Sequence, residues 1–214
     1  MRRALISSVL VLACVACDSG RRTRDAAHDA QRTVQSDFTF DPGTSFGALT
    51  ADGSEQDLIA AYGAAQVQPE AVSLGEGESE PGSVVFPDDP LRRFEVAWGD
   101  TLQRRAPSFV LLTGDTTLWQ GKRGLTLGVS LGQLETLNGK PFGMAGYGWD
   151  YGGSVLSWKD GQLADLEGRV AVALAPRDAN ADVSHVLGDG EFLSSDSTLR
   201  RLQPRVNRLV VRFE

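Results

Sequence analysis

Past its seventeenth residue this chain has no cysteine. Cys14 and Cys17 are the two it carries in 214 residues. No disulfide can therefore staple the globular part, and no thiolate cluster can hold zinc there. Imidazole is nearly as scarce, with His28 and His185 alone. Three tyrosines and four tryptophans stand against twenty-four glycines, which points to many turns and few large core anchors. No apolar run reaches the ~20 residues that cross a bilayer. Positive charge is in the minority: the formal net charge is −7, and two units more negative if a leader carrying Arg2 and Arg3 is removed. Nucleic acid and anionic membrane surfaces reward clustered Lys and Arg, so neither is expected as a partner. What is present suffices for a core. The chain is 41% hydrophobic, and at this length burial of roughly 70% of the unfolded surface needs no metal or cofactor.

The amino end reads as an address. Arg2 and Arg3 precede an apolar run over residues 4–15, of signal-peptide length, and small residues lead into cysteine. This resembles a bacterial lipoprotein signal over residues 1–16, with Cys17 as the lipidated residue and Cys14 as the alternative. The lipid would attach the protein to a membrane of the cell envelope, facing the periplasm if the envelope has two membranes. Residues 17–37 are polar, mixed in charge and poor in large apolar side chains, the composition of a tether. Twenty flexible residues span about 25 Å root-mean-square.

The rest divides into two stretches, residues 38–115 and 116–214. In the first, Ser54 is followed three residues on by Asp57, a capping box, and Leu58, Ala61 and Tyr62 share one helical face before Gly63. In the second, Ser130 and Gln133 repeat the box, Leu134 and Leu137 follow, and Asn138-Gly139 stops the helix. Ser54 and Ser130, Leu58 and Leu134, and Gly63 and Gly139 are each 76 apart. Residues 94–98 and 170–174 keep that spacing and both read as strands. Residues 75–82 read as an acidic, glycine-rich loop, residues 108–112 as a buried strand, and residues 205–213 as a last strand alternating between its two faces. The fold class expected is α+β: two tandem repeats of a short helix packed on antiparallel strands, behind a signal peptide and flexible tether.

The run Gly128-x-Ser130 through Leu134, Leu137, Asn138, Gly139, Lys140 and Pro141, followed by aromatic strands, resembles the envelope module of the outer-membrane assembly lipoprotein BamE, of the SmpA/OmlA type. It is also similar to the tandem two-repeat relative of that module, the β-lactamase inhibitor protein. Residues 128–158 carry the resemblance best and residues 43–98 more loosely. NGKPF and WDYGG are similar to segments of other bacterial lipoproteins. The resemblance implies an envelope protein partner bound through an aromatic sheet face, without catalysis.

Tyr147, Trp149 and Tyr151 are two apart, so in a strand all three would share a face, with glycine and Asp150 on the other. Three readings stand: core packed against the second helix, an exposed platform for a protein or a sugar ring, or a glycine-rich turn whose aromatics cap the sheet. For catalysis, Asp150 with Glu135 or Asp160 offers a carboxylate pair for acid–base work on carbohydrate or peptidoglycan. Asp178, Asn180 and Asp182, with Asp189 in the twelfth place, have the odd-position spacing of a calcium loop. Val183 stands where that loop turns on glycine, and Asp189 where it closes with glutamate, so a solvated loop is expected and no metal.

Overall fold

Two serines start the two longest helices among the described residues. In the computed structural model, which describes residues 37–213, Ser54 Oγ accepts from the Asp57 amide and the Asp57 carboxylate accepts from the Ser54 amide. Helix α1 follows, Glu55–Tyr62. Ser130 and Gln133 make the same reciprocal pair before α2, Leu131–Asn138. Each box satisfies amides that a helix start leaves bare. The helices stop at Gly63, φ 94°, and Gly139, φ 77°, conformations that a side chain opposes. Two turns are too few to hold without packing, and the buried Leu58, Tyr62, Leu131 and Leu134 supply it. A third helix, α3, Ser197–Arg201, is capped by Asp196. The leader, Cys14, Cys17 and all of the tether but Asp37 lie outside the described residues.

The strands run in chain order as β1 (Phe40–Asp41), β2 (Ser45–Phe46), β3 (Leu49–Thr50), β4 (Val67–Gly75), β5 (Glu78–Val85), β6 (Phe94–Asp100) and β7 (Arg105–Thr113). After α2 come β8 (Gly143–Ala145), β9 (Val155–Ser157), β10 (Val170–Ala175), β11 (Glu191–Leu193) and β12 (Arg205–Arg212). Six of them form the main sheet in the order β10-β12-β7-β6-β5-β4, all neighbours antiparallel. β11-β8-β9 make a small antiparallel sheet and β1-β2-β3 another. The chain is therefore α+β with antiparallel sheets. Strands from both sides of residue 116 share the main sheet.

Alternation decides which face of that sheet is core. Val96, Val110, Val211 and Val170 lie in one cross-strand row, all buried, beside the buried row of Leu112, Leu209 and Val172. The expected alternation of β12 holds over residues 208–212, with Leu209 and Val211 on this face and Arg208, Val210 and Arg212 on the other. Val206, expected with the arginines, instead lies past a ladder slip opposite Leu174 and is fully buried. Tyr62 of α1 meets Phe94 edge-on at 6.5 Å between ring centres.

Residues 75–82 are not the loop expected. They belong to a hairpin of β4 and β5 joined by Glu76 and Gly77, at φ 51° and 79°. Two consecutive positive φ values match the right-handed twist of paired strands, which lets a two-residue turn close.

Several features recur at matching places. The Glu55 amide donates to the Arg104 carbonyl, and Ala106 to Gly53, joining the start of α1 to β7. The Leu131 amide donates to Pro204, and Val206 to Val129, joining the start of α2 to β12. The β6–β7 ladder slips between Ala97 and Trp98, and the β10–β12 ladder between Ala173 and Leu174. Those slips are again 76 residues apart.

Candidate functional site

Residues 146–153 are GYGWDYGG, and the four glycines decide what they become. They do not form the strand expected from the aromatic spacing. β8 ends at Ala145, β9 begins at Val155, and the chain between them turns back on itself. Gly152 donates to the Trp149 carbonyl, Gly153 to Gly146, and Ser154 to Tyr151. Gly153 sits at φ 75°, where an added Cβ would lie 2.0 Å from the Leu174 carbonyl oxygen, so both the turn and the approach to β10 need glycine. The Tyr147 amide donates to Val186 and its carbonyl accepts from Gly188, tying this loop to residues 186–188.

The three aromatic rings therefore part. Tyr147 turns inward and is 7% exposed, while Trp149 and Tyr151 are each 41% exposed. The latter two meet edge-to-face with ring centres 5.4 Å apart, and Trp149 Nε1 donates to the Gly146 carbonyl at 3.2 Å. The Tyr147 hydroxyl is buried with no hydrogen-bond partner among the described residues, and burial pushes its pKa far above the ordinary tyrosine value. A buried donor without an acceptor costs about 1–3 kcal/mol. Tyr147→Phe is accordingly expected to leave thermal stability unchanged or raise it by up to about 2 kcal/mol. A loss above about 1 kcal/mol in a denaturant melt would reveal a partner for that hydroxyl.

Tyr151 stands at the rim of a groove on the second face of the main sheet. An added Cβ on Gly75 would lie 3.9 Å from the Tyr151 hydroxyl oxygen, so the β4–β5 hairpin comes close to it across that face. The Glu76 carboxylate is the main cause of a raised Tyr151 pKa, with a smaller contribution from Asp150 and an opposing one from Arg208. Val72, Ala97, Leu111 and Val210 form a buried apolar cluster here, with Phe109 packed against it. Gly82 makes room for it, since a Cβ there would fall 2.4 Å from a Val72 methyl. Beside the cluster the groove, about 230 Å³, is lined by Tyr151, Ser154, Ala173, Arg208 and Arg212. Arg208 and Arg212 form no ion pair among the described residues. An apolar floor, two cations and a half-exposed aromatic pair suit recognition of an amphipathic, negatively charged surface.

The carboxylates considered for catalysis are placed differently. Glu135 accepts from Ser194 Oγ at 2.7 Å and pairs with Arg200, while Ser194 Oγ also accepts from the Phe142 amide. That network clasps α2 to β8 and α3. Asp150 and Asp160 are exposed. In the calcium-like loop, Asp178 accepts from the Asn180 amide and Asp182 from the Ser184 amide, each at 2.9 Å. The second contact holds the Asp182 carboxyl below its ordinary pKa. Asp178, Asn180, Asp182 and Asp189 are all exposed. Among the described residues no three His, Cys, Asp or Glu side chains gather as metal ligands.

Of the groove's lining, the sequence reading singled out Tyr151. Phe109 was legible only as part of a buried strand, and Arg208 and Arg212 only as residues of an alternating one. The available signal was the pair of arginines on one face of β12, at odds with the chain's acidity.

Fold and groove together define a class, an α+β protein with antiparallel sheets and a cationic groove on the sheet face. No family model matches the chain, and neither a curated protein nor a solved structure matches it. No helix among the described residues is long and apolar enough to cross a membrane.

Proposed function

We propose that this chain is a lipid-anchored protein of the bacterial envelope that binds another envelope protein, and that it does so through Trp149 and Tyr151. In this reading it is built from two copies of an α+β unit of the type found in BamE and the β-lactamase inhibitor protein. The duplication is supported by the spacing of 76 shared by the two capping boxes and the two ladder slips. It is also supported by the parallel attachment of α1 to β7 and of α2 to β12. The second copy departs from the first by an excursion through β11 and α3 before β12. The anchor rests on the leader over residues 1–16 and on Cys17, or alternatively Cys14.

The observation that carries the binding role is the Trp149–Tyr151 pair. Two large rings standing half in solvent beside a groove have a use that a core does not explain, and such rings are the usual anchors of protein interfaces. The test is crosslinking in cells from a photoreactive residue at Asp150, comparing the parent chain with Trp149→Ala plus Tyr151→Ala. Loss of interface anchors costs about 2 kcal/mol or more each. The double variant should therefore lose partner capture by at least about 30-fold while its melting temperature moves by only a few degrees. Capture that persists in the double variant would sink the proposal. Capture lost together with the fold would make the rings structural.

A further inference from the structure

The two edges of the main sheet are made differently. β4, at one edge, carries Pro69 and Glu70. Proline lacks the N–H that an incoming strand needs, and a charge on an edge discourages pairing. β10, at the other edge, reads Val-Ala-Val-Ala-Leu-Ala with no proline and no charge. An edge of that composition is a template for another strand. The residues just before β9 cover it at a single bridge, Ser154 with Ala173, where the Leu174 amide donates to the Gly153 carbonyl. There the ladder stops. Backbone groups alternate in direction along a strand, so the N–H groups of Val172 and Val170 point the same way as that of Leu174, into the gap. A second groove of about 240 Å³ lies there, between Val155, Leu156 and Ser157 on one side and Val170 and Ala171 on the other, with Glu167, which accepts from the Trp158 amide, at its end. It shares Ala171 and Arg212 with the groove beside Tyr151.

We propose that this wedge takes an extended, acidic peptide segment as an added strand on β10, its carboxylate held by Arg208 and Arg212. Ala171 and Ala173 lie opposite Val210 and Arg208 of β12. Strands are spaced about 4.8 Å apart, so a side chain on the added strand would stand about 10 Å from the β12 backbone. Arg208 can cross that distance over Ala173, which has nothing beyond Cβ, while Arg212 lies opposite Arg169, a further cation on the same path. The charge argument is local. Arg208, Arg212 and Arg169, which lies opposite Arg212, form no ion pair among the described residues and outnumber Glu167, the one carboxylate lining either groove. A second copy of the chain would bring the same net negative charge and its own two arginines, which disfavours it against an acidic segment. The inference rests on the protein-binding reading and adds the partner's conformation and charge.

The test uses the full chain and two capped hexapeptides, Thr-Val-Asp-Val-Thr-Val and the same sequence with Asn for Asp. Amide hydrogen exchange is followed across β10. The acidic peptide should slow exchange at Val170 and Val172 by at least tenfold and bind at least tenfold more tightly than the neutral one. Arg208→Gln with Arg212→Gln should erase that preference and leave the neutral peptide's binding as it was. Ala171→Lys should block both peptides. Unchanged exchange at Val170 and Val172 with millimolar acidic peptide overturns the strand site, and equal binding of the two peptides overturns the role of the arginines. Protection that grows with protein concentration and no peptide assigns the edge to a second copy and overturns the proposal. The crosslinking at Asp150 reads the Trp149–Tyr151 rim and the amide exchange reads the β10 backbone, so the two proposals can fail separately.

Discussion

Asn138→Ala is expected to lower stability by about 3–5 kcal/mol, because three backbone groups lose a partner at once, the buried Leu163 amide and Trp158 carbonyl and the part-buried Lys140 carbonyl. Asn138 is the last residue of α2 and fully buried. Its amide donates to the carbonyls of Lys140 and Trp158, each at 3.0 Å, and its oxygen accepts from the Leu163 amide at 3.1 Å. The side chain thus fastens the helix end to the segment after β9. Gly161 makes room for it, since a Cβ there would lie 2.1 Å from the Asn138 oxygen. In a domain of this size each kcal/mol moves the melting temperature by about 2–4 °C, so a thermal melt should fall by roughly 6–20 °C. A fall below about 2 °C would mean that water replaces the amide and that the three contacts are not a clasp.

Trp119→Ala should be as damaging, at about 3–5 kcal/mol. Trp119 lies in an irregular stretch, yet it is fully buried. Its ring centre is 4.3 Å from that of Phe46, 5.1 Å from Phe94 and 5.3 Å from Phe38. Its Nε1 donates to the Arg92 carbonyl at 2.7 Å. The indole therefore joins the small sheet of β1, β2 and β3 to β6, and truncation removes packing and leaves the Arg92 carbonyl without its donor. Trp119→Phe should recover about half of the lost stability, since it restores the ring but not the N–H. If the alanine and phenylalanine variants melt together, the hydrogen bond rather than the packing dominates.

Local chemistry was the legible part of this fold. A serine with an acid or amide three residues on, and glycine after the last apolar residue, determine a helix within its own ten residues. α1 and α2 accordingly start and stop where their residues require. β12 was legible for a similar reason, because one buried face imposes alternation. β4 was not. Its Pro69, Glu70 and Gly75 are loop residues by composition, and an edge strand tolerates them because one side of its ladder needs no partner. The stretch over residues 146–153 misled in the opposite direction. Tyr-x-Trp-x-Tyr imitates a strand, but the glycines between them accept turn geometry at no steric cost, and hydrogen bonds to Val186 and Gly188 draw Tyr147 away from the other two rings. The groove could not be read at all before the strands were ordered. Tyr151, Phe109 and Arg208 come from three separate segments, and only the pairing of β7 with β12 puts them side by side.

That pairing has a kinetic consequence. β7 and β12 are neighbours in the middle of the main sheet, but nearly everything in the second half of the chain lies between them in sequence. Non-local pairing of this kind is slow, since a long loop must close before any contact compensates for the lost freedom. In the interval, the Phe109-Val110-Leu111-Leu112 side of β7 is an uncovered sticky edge. Until Arg205–Arg212 arrives to seal it, that edge is the part of the main sheet most open to mispairing.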